Sequence, residues 1–333
     1  MSNQPKSLVT GAAGFVGSHV VDELVARGHT VVALDDLSGG FRDNVNSRTR
    51  FVEGSVVDAA LIKNLFDEHG FDYVFHLAAY AAEGLSHFIR RFNYENNLIG
   101  SVNLINASVN HKVKCFVFTS SIAVYGRNQV PMTEDLVPQP EDPYGISKYA
   151  VELDLRAAHD LFGLDYIIFR PHNVYGERQN IGDRYRNVVG IFMNNILQGK
   201  TLPIFGDGEQ TRAFSYIGDV APIIADSVAK PDAYNQVFNV GADQPYSVNE
   251  LARTIGKAMG AELQPQYLPA RHEVQHAFSS HDKVARIFGY RPRYSLEDGI
   301  GRMAAWVKQV GARQSQSFGT LDIEKNLPPS WRG

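Results

Sequence analysis

Cysteine is nearly missing from this chain: of 333 residues only Cys115 is one. No internal disulfide can form. Its place in the apolar run Cys115-Phe116-Val117-Phe118 reads as a buried strand residue in a reducing compartment. Long hydrophobic runs are missing as well. No stretch approaches the ~18 apolar residues of a membrane-crossing helix, and Met1 to Ser7 lacks the apolar core of an export signal. There is no basic block, and the net charge of −4 argues against nucleic acid or an anionic membrane as the main partner. Neither internal repeats nor low-complexity segments are visible. What remains is globular composition, with 44% hydrophobic and 20% charged residues, enough for one large or two ordinary domains. The expectation is a soluble, cytoplasmic protein.

Short β-rich runs at 7–10, 30–34, 50–52, 73–77, 115–119 and 166–169 alternate with helical spacing at 15–27, 59–69, 94–110 and 144–162. Such alternation implies βαβ units and an α/β fold, a parallel sheet with helices on both faces. After Arg170-Pro171-His172, Pro, Gly and polar residues break the pattern into shorter elements at 202–208, 217–229, 237–240, 248–259 and 296–310. We expect a first part, 1–170, that carries the sheet. A smaller mixed α/β part, 171–333, covers its carboxyl edge and returns segments to it. The polar tail from Gly311 onward is expected to pack loosely.

Thr10-Gly11-Ala12-Ala13-Gly14-Phe15-Val16-Gly17 follows the first strand and opens the first helix. Glycines there permit a tight turn, approach of backbone to phosphate, and close helix–strand packing. The helix N-terminus offers free N–H groups and partial positive charge to a pyrophosphate. Asp35, ending the next strand in Leu34-Asp35-Asp36-Leu37, can accept hydrogen bonds from ribose hydroxyls and would repel a 2′-phosphate. Strand, loop, helix and acid together point to NAD rather than NADP.

The run Asp142-Pro143-Tyr144-Gly145-Ile146-Ser147-Lys148 carries the chemistry. Asp142 can cap a helix and Pro143 fits its first position. A Tyr and a Lys four apart then share one face, with Cβ atoms about 5–6 Å apart. An ammonium beside a phenol favours the phenolate, so Lys148 is expected to pull the Tyr144 pKa down from about 10 towards neutrality, making it a proton-transfer group.

The spacing of Gly11, Gly14 and Gly17 together with Tyr144 and Lys148 resembles the extended short-chain dehydrogenase/reductase superfamily. So do His76-Leu77-Ala78-Ala79, Asn96-Asn97, Phe118-Thr119-Ser120-Ser121-Ile122-Ala123-Val124-Tyr125-Gly126 and Arg170-Pro171-His172-Asn173-Val174-Tyr175-Gly176. The similarity runs from Leu8 to about Trp306 and is strongest to nucleotide-sugar epimerases. It implies a Rossmann-like, doubly wound NAD-binding part and a C-terminal substrate-binding part. It implies Ser121, Tyr144 and Lys148 as catalytic, with Ser121 bonding the sugar's O4; Ser120 is the competing hydroxyl, pointing to the other face of a strand. It places Gly11, Gly14, Phe15, Val16, Gly17, Asp35, Ser55, Val56, Leu77, Ala78, Ala79 and Asn97 at the cofactor, with Tyr144 and Lys148. It places Asn173, Asn187, Phe205, Arg212 and Arg271 with Ser121 at a UDP-sugar, arginine suiting forked phosphate contacts. It also implies a homodimer formed through the helices at 94–110 and 144–162. One position departs from the pattern. Ser55 stands where the family has an acidic residue at the adenine amine, so either Asp58 compensates or adenine is held less tightly.

The superfamily's branches share oxidation at C4 and differ in the fate of the resulting ketone. Dehydratases and decarboxylases of sugar nucleotides carry acids just before the Val-Tyr-Gly run, where this chain has Ile122 and Ala123, and Cys115 is not where a 3,5-epimerase has its cysteine. The resemblance therefore implies plain 4-epimerisation, by default of UDP-glucose and UDP-galactose. UDP-glucuronate, UDP-N-acetylhexosamines, a 4-keto sugar reductase and a non-catalytic NAD-binding regulator are the alternatives. Arg184 and Arg186 would bear on a C6 carboxylate if either pointed inward. His87, Arg90 and Arg91 fall near the expected site or on the surface.

Overall fold

The structure is a computed structural model that describes residues 4–270, 275–314, 318–328 and 331. Seven parallel strands form one sheet: β1 (Lys6–Thr10), β2 (Thr30–Asp35), β3 (Arg50–Glu53), β4 (Tyr73–His76), β5 (Cys115–Thr119), β6 (Tyr166–Pro171) and β7 (Gln236–Val240). Their order is β7-β6-β5-β4-β1-β2-β3. The inner strands are largely apolar because both faces are covered. Cys115 is fully buried in β5, as its apolar neighbours suggested.

Helices cross over between strands and end where the sequence signals ends. In α1 (Phe15–Ala26) the helix starts at Gly14, with no side chain over its first turn. Asp58 accepts from Leu61 N at 3.0 Å to start α2 (Ala59–His69), and Gly70, at φ 57°, closes it. Asp58 thus caps this helix through one of its two carboxylate oxygens. The helix expected over 94–110 begins earlier, at Arg90, and widens into a π-turn at Glu95–Ile99 before α3 (Gly100–Asn110). The wider turn carries Asn97 into the interior. In α4 (Pro143–Phe162), Asp142 accepts from Gly145 N at 2.9 Å, Pro143 opens the helix and Gly163 ends it.

The second half of the chain does not stand apart. It supplies β7, paired in parallel with β6 from Gln236↔Ile167 to Val240↔Pro171. It also supplies α6 (Ile217–Asp226), which packs on α1. Between them α5 (Val188–Leu197), α7 (Val248–Met259) and α8 (Leu296–Val310) stack on one another around the main core. Both α7 and α8 begin with capping boxes, Ser247 with Glu250 and Ser295 with Asp298.

The tail corrects the expectation of loose packing. Leu327 and Trp331 are buried with Ala82, Leu85 and Ile89, and Tyr80, Phe88, Phe92, Tyr185, Phe318 and Leu321 pack around them. Main-chain bonds fasten it, Asp322 N to Phe88 O at 2.8 Å and Arg313 N to Asn194 Oδ1 at 2.9 Å. Few apolar residues spread over a polar segment suffice when a cluster awaits them.

Candidate active site

The carboxyl ends of β1, β2, β4 and β5 converge on one trough, its floor the loop between β1 and α1. A Cβ on Gly11, itself at φ 68°, would lie 2.7 Å from Ala78 N, and one on Gly17 only 2.0 Å from Gly11 O. On the other side, a Cβ on Gly40 would sit 2.5 Å from Ala13 O. The loop is therefore pinched between the segment after β4 and the segment after β2. Asp35 fastens it, accepting from Ala13 N at 2.9 Å and from Leu37 N at 2.7 Å. Burial holds the Asp35 carboxyl above the usual range, and these backbone donors work against that. The first-turn N–H groups of Phe15, Val16 and Gly17 point out of an uncapped helix end, a cradle suited to a phosphate.

Around the trough, Leu77 N bonds Thr10 O at 3.2 Å and Ala78 N bonds Thr10 Oγ1 at 3.2 Å. Asn97 is 1% exposed. Its amide braces the next turn, accepting from Tyr80 N at 2.8 Å and donating to Tyr80 O at 3.1 Å. Ala79 is half-buried beside that turn. Val56 packs against Gly100, and Ser55 Oγ accepts from Val57 N at 3.3 Å.

Tyr144, Lys148 and a residue sequence reasoning missed, Glu152, form one ladder four residues apart along α4, all buried. Lys148 Nζ donates to Thr119 O at 2.7 Å, lies 4.8 Å above the Phe118 ring and 5.8 Å from the centre of the Tyr144 ring. Ser121 lies beside the Tyr144 phenol, near enough to work against the upward push of burial on it. The Ser121 hydroxyl accepts from Ala123 N at 3.1 Å, opening the short turn Ile122–Tyr125. Ser120 faces away, its hydroxyl 2.6 Å from Glu152 Oε1. The two serines are thus sorted by the alternation of a strand, and Ser121 stands on the tyrosine's side. Glu152 in turn holds Arg170, Nε to Oε1 at 2.9 Å and NH2 to Oε2 at 2.5 Å. Glu152's spacing from Lys148 was the signal that could have found it.

The electrostatics depart from the expectation of a neutral-pH phenolate. Burial pushes the Tyr144 phenol well above its ordinary range; the Ser121 hydroxyl and the Arg186 charge oppose this, while Glu83 and Asp142 reinforce it. The same burial brings the Lys148 ammonium down to about 7, against the pull of Glu152. A buried ammonium is itself too costly for the pair alone to make a phenolate at neutral pH. Thr119 Oγ1, on the residue that Lys148 holds, is buried without a hydrogen-bond partner. A buried hydroxyl left without a partner among the described residues, on the residue whose carbonyl holds Lys148, fits a site that a polar cofactor would complete.

The C-terminal candidates are joined by backbone links. Asn173, at φ 39°, donates to Ala213 O at 3.3 Å, and Asn187 donates to Val174 O at 2.5 Å while capping α5. Arg212, on the strand that ends at Ala213, donates to Thr211 O and Gln275 O, each at 2.9 Å. Phe205 ends a strand paired with Pro265–Leu268. Arg271 lies outside the described residues. His87, Arg90 and Arg91 are exposed, and Arg91 is bonded to Glu95. Arg184 lies 5.7 Å from the Tyr185 ring. Arg186 does point inward. Asp183 holds it through Nε and NH2, both at 2.7 Å, and its guanidinium lies 4.7 Å above the Tyr80 ring.

This geometry has counterparts. The model of the NAD dependent epimerase/dehydratase family matches residues 7–241. A UDP-glucose 4-epimerase of Mycolicibacterium smegmatis is 36% identical over 305 residues, 89% of this chain and 96% of its own. Among solved structures, a UDP-glucose 4-epimerase from Thermotoga maritima with UDP-glucose superposes at a TM-score of 0.88, with 36% identity, over 92% of this chain and 99% of that one. A UDP-glucuronic acid 4-epimerase from Bacillus cereus, in complex with UDP-glucuronic acid and NAD, superposes at 0.84 with 29% identity, over the same shares.

Proposed function

From the membership of this chain in the NAD-dependent epimerase/dehydratase family, we propose that it interconverts UDP-glucose and UDP-galactose by epimerisation at C4. The observation that carries the reaction type is the pairing of Ser121 and Tyr144 with Ile122 and Ala123. A hydroxyl and a phenol stand ready to move a proton at the sugar's O4, and the next two side chains have no proton to give or take. A 4-keto sugar formed here meets no group that would dehydrate or decarboxylate it, so reduction on its opposite face is what remains.

Bound NAD supplies the hydride acceptor and donor, and its positive ring favours the Tyr144 phenolate. Tyr144 takes the O4 proton and later returns it. Ser121, beside the phenol, steadies O4 with its own hydroxyl. Lys148, held on Thr119 O and 5.8 Å from the centre of the Tyr144 ring, adds positive charge beside the tyrosine when protonated. The cradle at Phe15, Val16 and Gly17 and the acid Asp35 hold the dinucleotide's phosphates and ribose. We read residues 1–170 as mainly the NAD-binding part and 171–333 as mainly the sugar-nucleotide part, with Asn173, Asn187, Phe205, Arg212 and Arg271 towards UDP. Arg186 argues little for a sugar carboxylate, since its guanidinium lies over Tyr80 and beside Gly39, next to the loops that border the phosphate cradle.

The same reading makes the protein a cytoplasmic homodimer through α3 and α4. Ile146, Leu153, Leu161 and Phe162 are exposed along α4, and Ile99 stands exposed just before α3. Light scattering would return twice the chain mass.

The decisive experiment monitors UDP-glucose, UDP-galactose, UDP-glucuronate and the N-acetyl sugars by NMR with no cofactor added. The expected result is exchange between UDP-glucose and UDP-galactose by protein carrying its own NAD. Tyr144→Phe should retain NAD and lose roughly a thousandfold or more in kcat, the upper part of what a positioned proton-transfer group contributes. Near-full activity of that variant would sink the mechanism, and a requirement for added NADH would replace it with a reductase.

A further inference from the structure

Arg186 comes from the C-terminal half of the chain, yet it sits among residues of the NAD-binding half. Its guanidinium lies 4.7 Å above the Tyr80 ring, four residues beyond the end of β4. On its other side NH2 lies 3.4 Å, and NH1 3.9 Å, from where a Cβ on Gly39 would be, four residues beyond the end of β2. In the sheet, β1 runs between β4 and β2. The loop from Gly11 to Gly14 fills that interval, against Ala78 on one side and Gly40 on the other. A group touching both Tyr80 and Gly39 therefore lies across the mouth of the phosphate cradle.

Asp183 occupies the Nε edge of the guanidinium and fixes its plane. NH1 has no hydrogen-bond acceptor among the described residues. Both neighbours of this arginine are braced. Tyr80 is gripped through its backbone by Asn97, packed edge-on by Phe92 and at a tilt by Phe318. Tyr185, the residue before it, packs against Trp331 at 5.3 Å, and its hydroxyl accepts from Phe318 N at 3.2 Å. Arg313, from the same tail, stacks 3.6 Å above Phe41, whose N–H donates to Ala13 O. A braced cation above an uncapped helix N-terminus is arranged for an anion between them.

We propose that Arg186 binds the pyrophosphate of NAD from above, closing the cradle that Phe15, Val16 and Gly17 form below, with the tail holding it in place. The proposal rests on NAD being the cofactor. Arginine suits the task because the edge not held by Asp183 can still meet phosphate oxygens in a plane, which a lysine cannot reproduce.

The test uses full-length Arg186→Gln and Arg186→Lys. It compares NAD content as purified and, after the cofactor is stripped, the calorimetric affinities for NAD, ADP-ribose and adenosine. Arg186→Gln should bind NAD and ADP-ribose roughly ten- to hundredfold more weakly, the range for one charge-assisted hydrogen bond. Adenosine, which has no phosphate, should change less than twofold, and Arg186→Lys should recover part of the loss. The parent's NAD affinity should also fall more steeply with salt than that of the glutamine variant. Unchanged NAD affinity in Arg186→Gln would overturn the proposal, as would an equal loss for adenosine, which marks general damage. A rise confined to the KM of the sugar nucleotide would overturn it too and give Arg186 to the substrate. A parent that binds no NAD at all would instead bring down the cofactor reading on which the proposal rests.

Discussion

His76 shows how one buried side chain is held uncharged. Ser101 Oγ donates to Asn97 O at 2.7 Å, so it must accept from His76 Nε2 at 2.8 Å. The ring's other nitrogen, Nδ1, then accepts from Thr10 Oγ1 at 2.7 Å. Thr10 Oγ1 in turn accepts from Ala78 N, tying this tautomer to the cofactor trough. Burial, with the Lys148 charge nearby, brings the ring down to about 3 from its ordinary value near 6.5. The unfolded chain then takes up this proton first as pH falls, so the stability is intact above about 6.5 and drains away towards about 3. His172, also down to about 3 through burial, drains over the same window. Each group contributes a slope of about 1.4 kcal/mol per pH unit. Urea unfolding of the parent and of His76→Gln between pH 6 and 5 should give slopes that differ by about that amount, the variant's being shallower. Equal slopes would mean His76 is protonated in the fold. At this scale Gly11, Gly17, Asp35, Ser121, Tyr144 and Lys148 were legible because each needs a particular residue type at a particular spacing. The charge states were not, because burial is set by parts of the chain far away in sequence.

Helix α4 carries its chemistry as a ladder, and the lower rung stabilises the upper ones. Glu152 and Arg170 are 0% and 1% exposed, and the arginine also lies 4.7 Å over the Tyr125 ring. Removing one partner of such a pair leaves a buried charge and costs about 3–5 kcal/mol. Glu152→Met should therefore destabilise by about that much in denaturant melts. Adding Arg170→Met should restore most of the loss, because two thioethers of similar volume need no counter-charge. Additive losses would show that the pair is not the unit of stability. Glu152→Met should in addition drop the Lys148 pKa further, since the glutamate is what opposes burial there. Elements themselves were largely readable. Both α2 and α7 begin and end as their caps and spacing indicate, and the strands of the first half lie within two residues of expectation. The π-turn at Glu95–Ile99 was not, because the demand for it comes from Tyr80, whose backbone Asn97 must reach.

Across the whole molecule, the relatives are covered over almost their entire length, while 92% of this chain finds a counterpart in the Thermotoga structure. The tail after Gly311 docks on the rest of the molecule. Its sequence looked too polar to dock, since hydrophobic periodicity reports on segments that build their own face, and this one borrows a face from 82–92 and Tyr185. That borrowing makes docking cooperative around a few anchors, chiefly Leu327 and Trp331. A tryptophan deep in a core costs ~3–5 kcal/mol when cut to alanine, but a tail can lose no more than its own docking free energy. Trp331→Ala should accordingly behave like truncation after Gly311. Both should show the same downward shift in Tm, faster proteolysis beyond α8, and quicker loss of NAD on gel filtration as Tyr80 and Tyr185 loosen around Arg186. If Trp331→Ala melts with the parent, the tail is held by its main-chain bonds to Phe88 and Asn194 rather than by its aromatic anchor. If truncation alone speeds NAD loss, Arg313 on Phe41 is the contact that matters, and Arg313→Ala should then reproduce it.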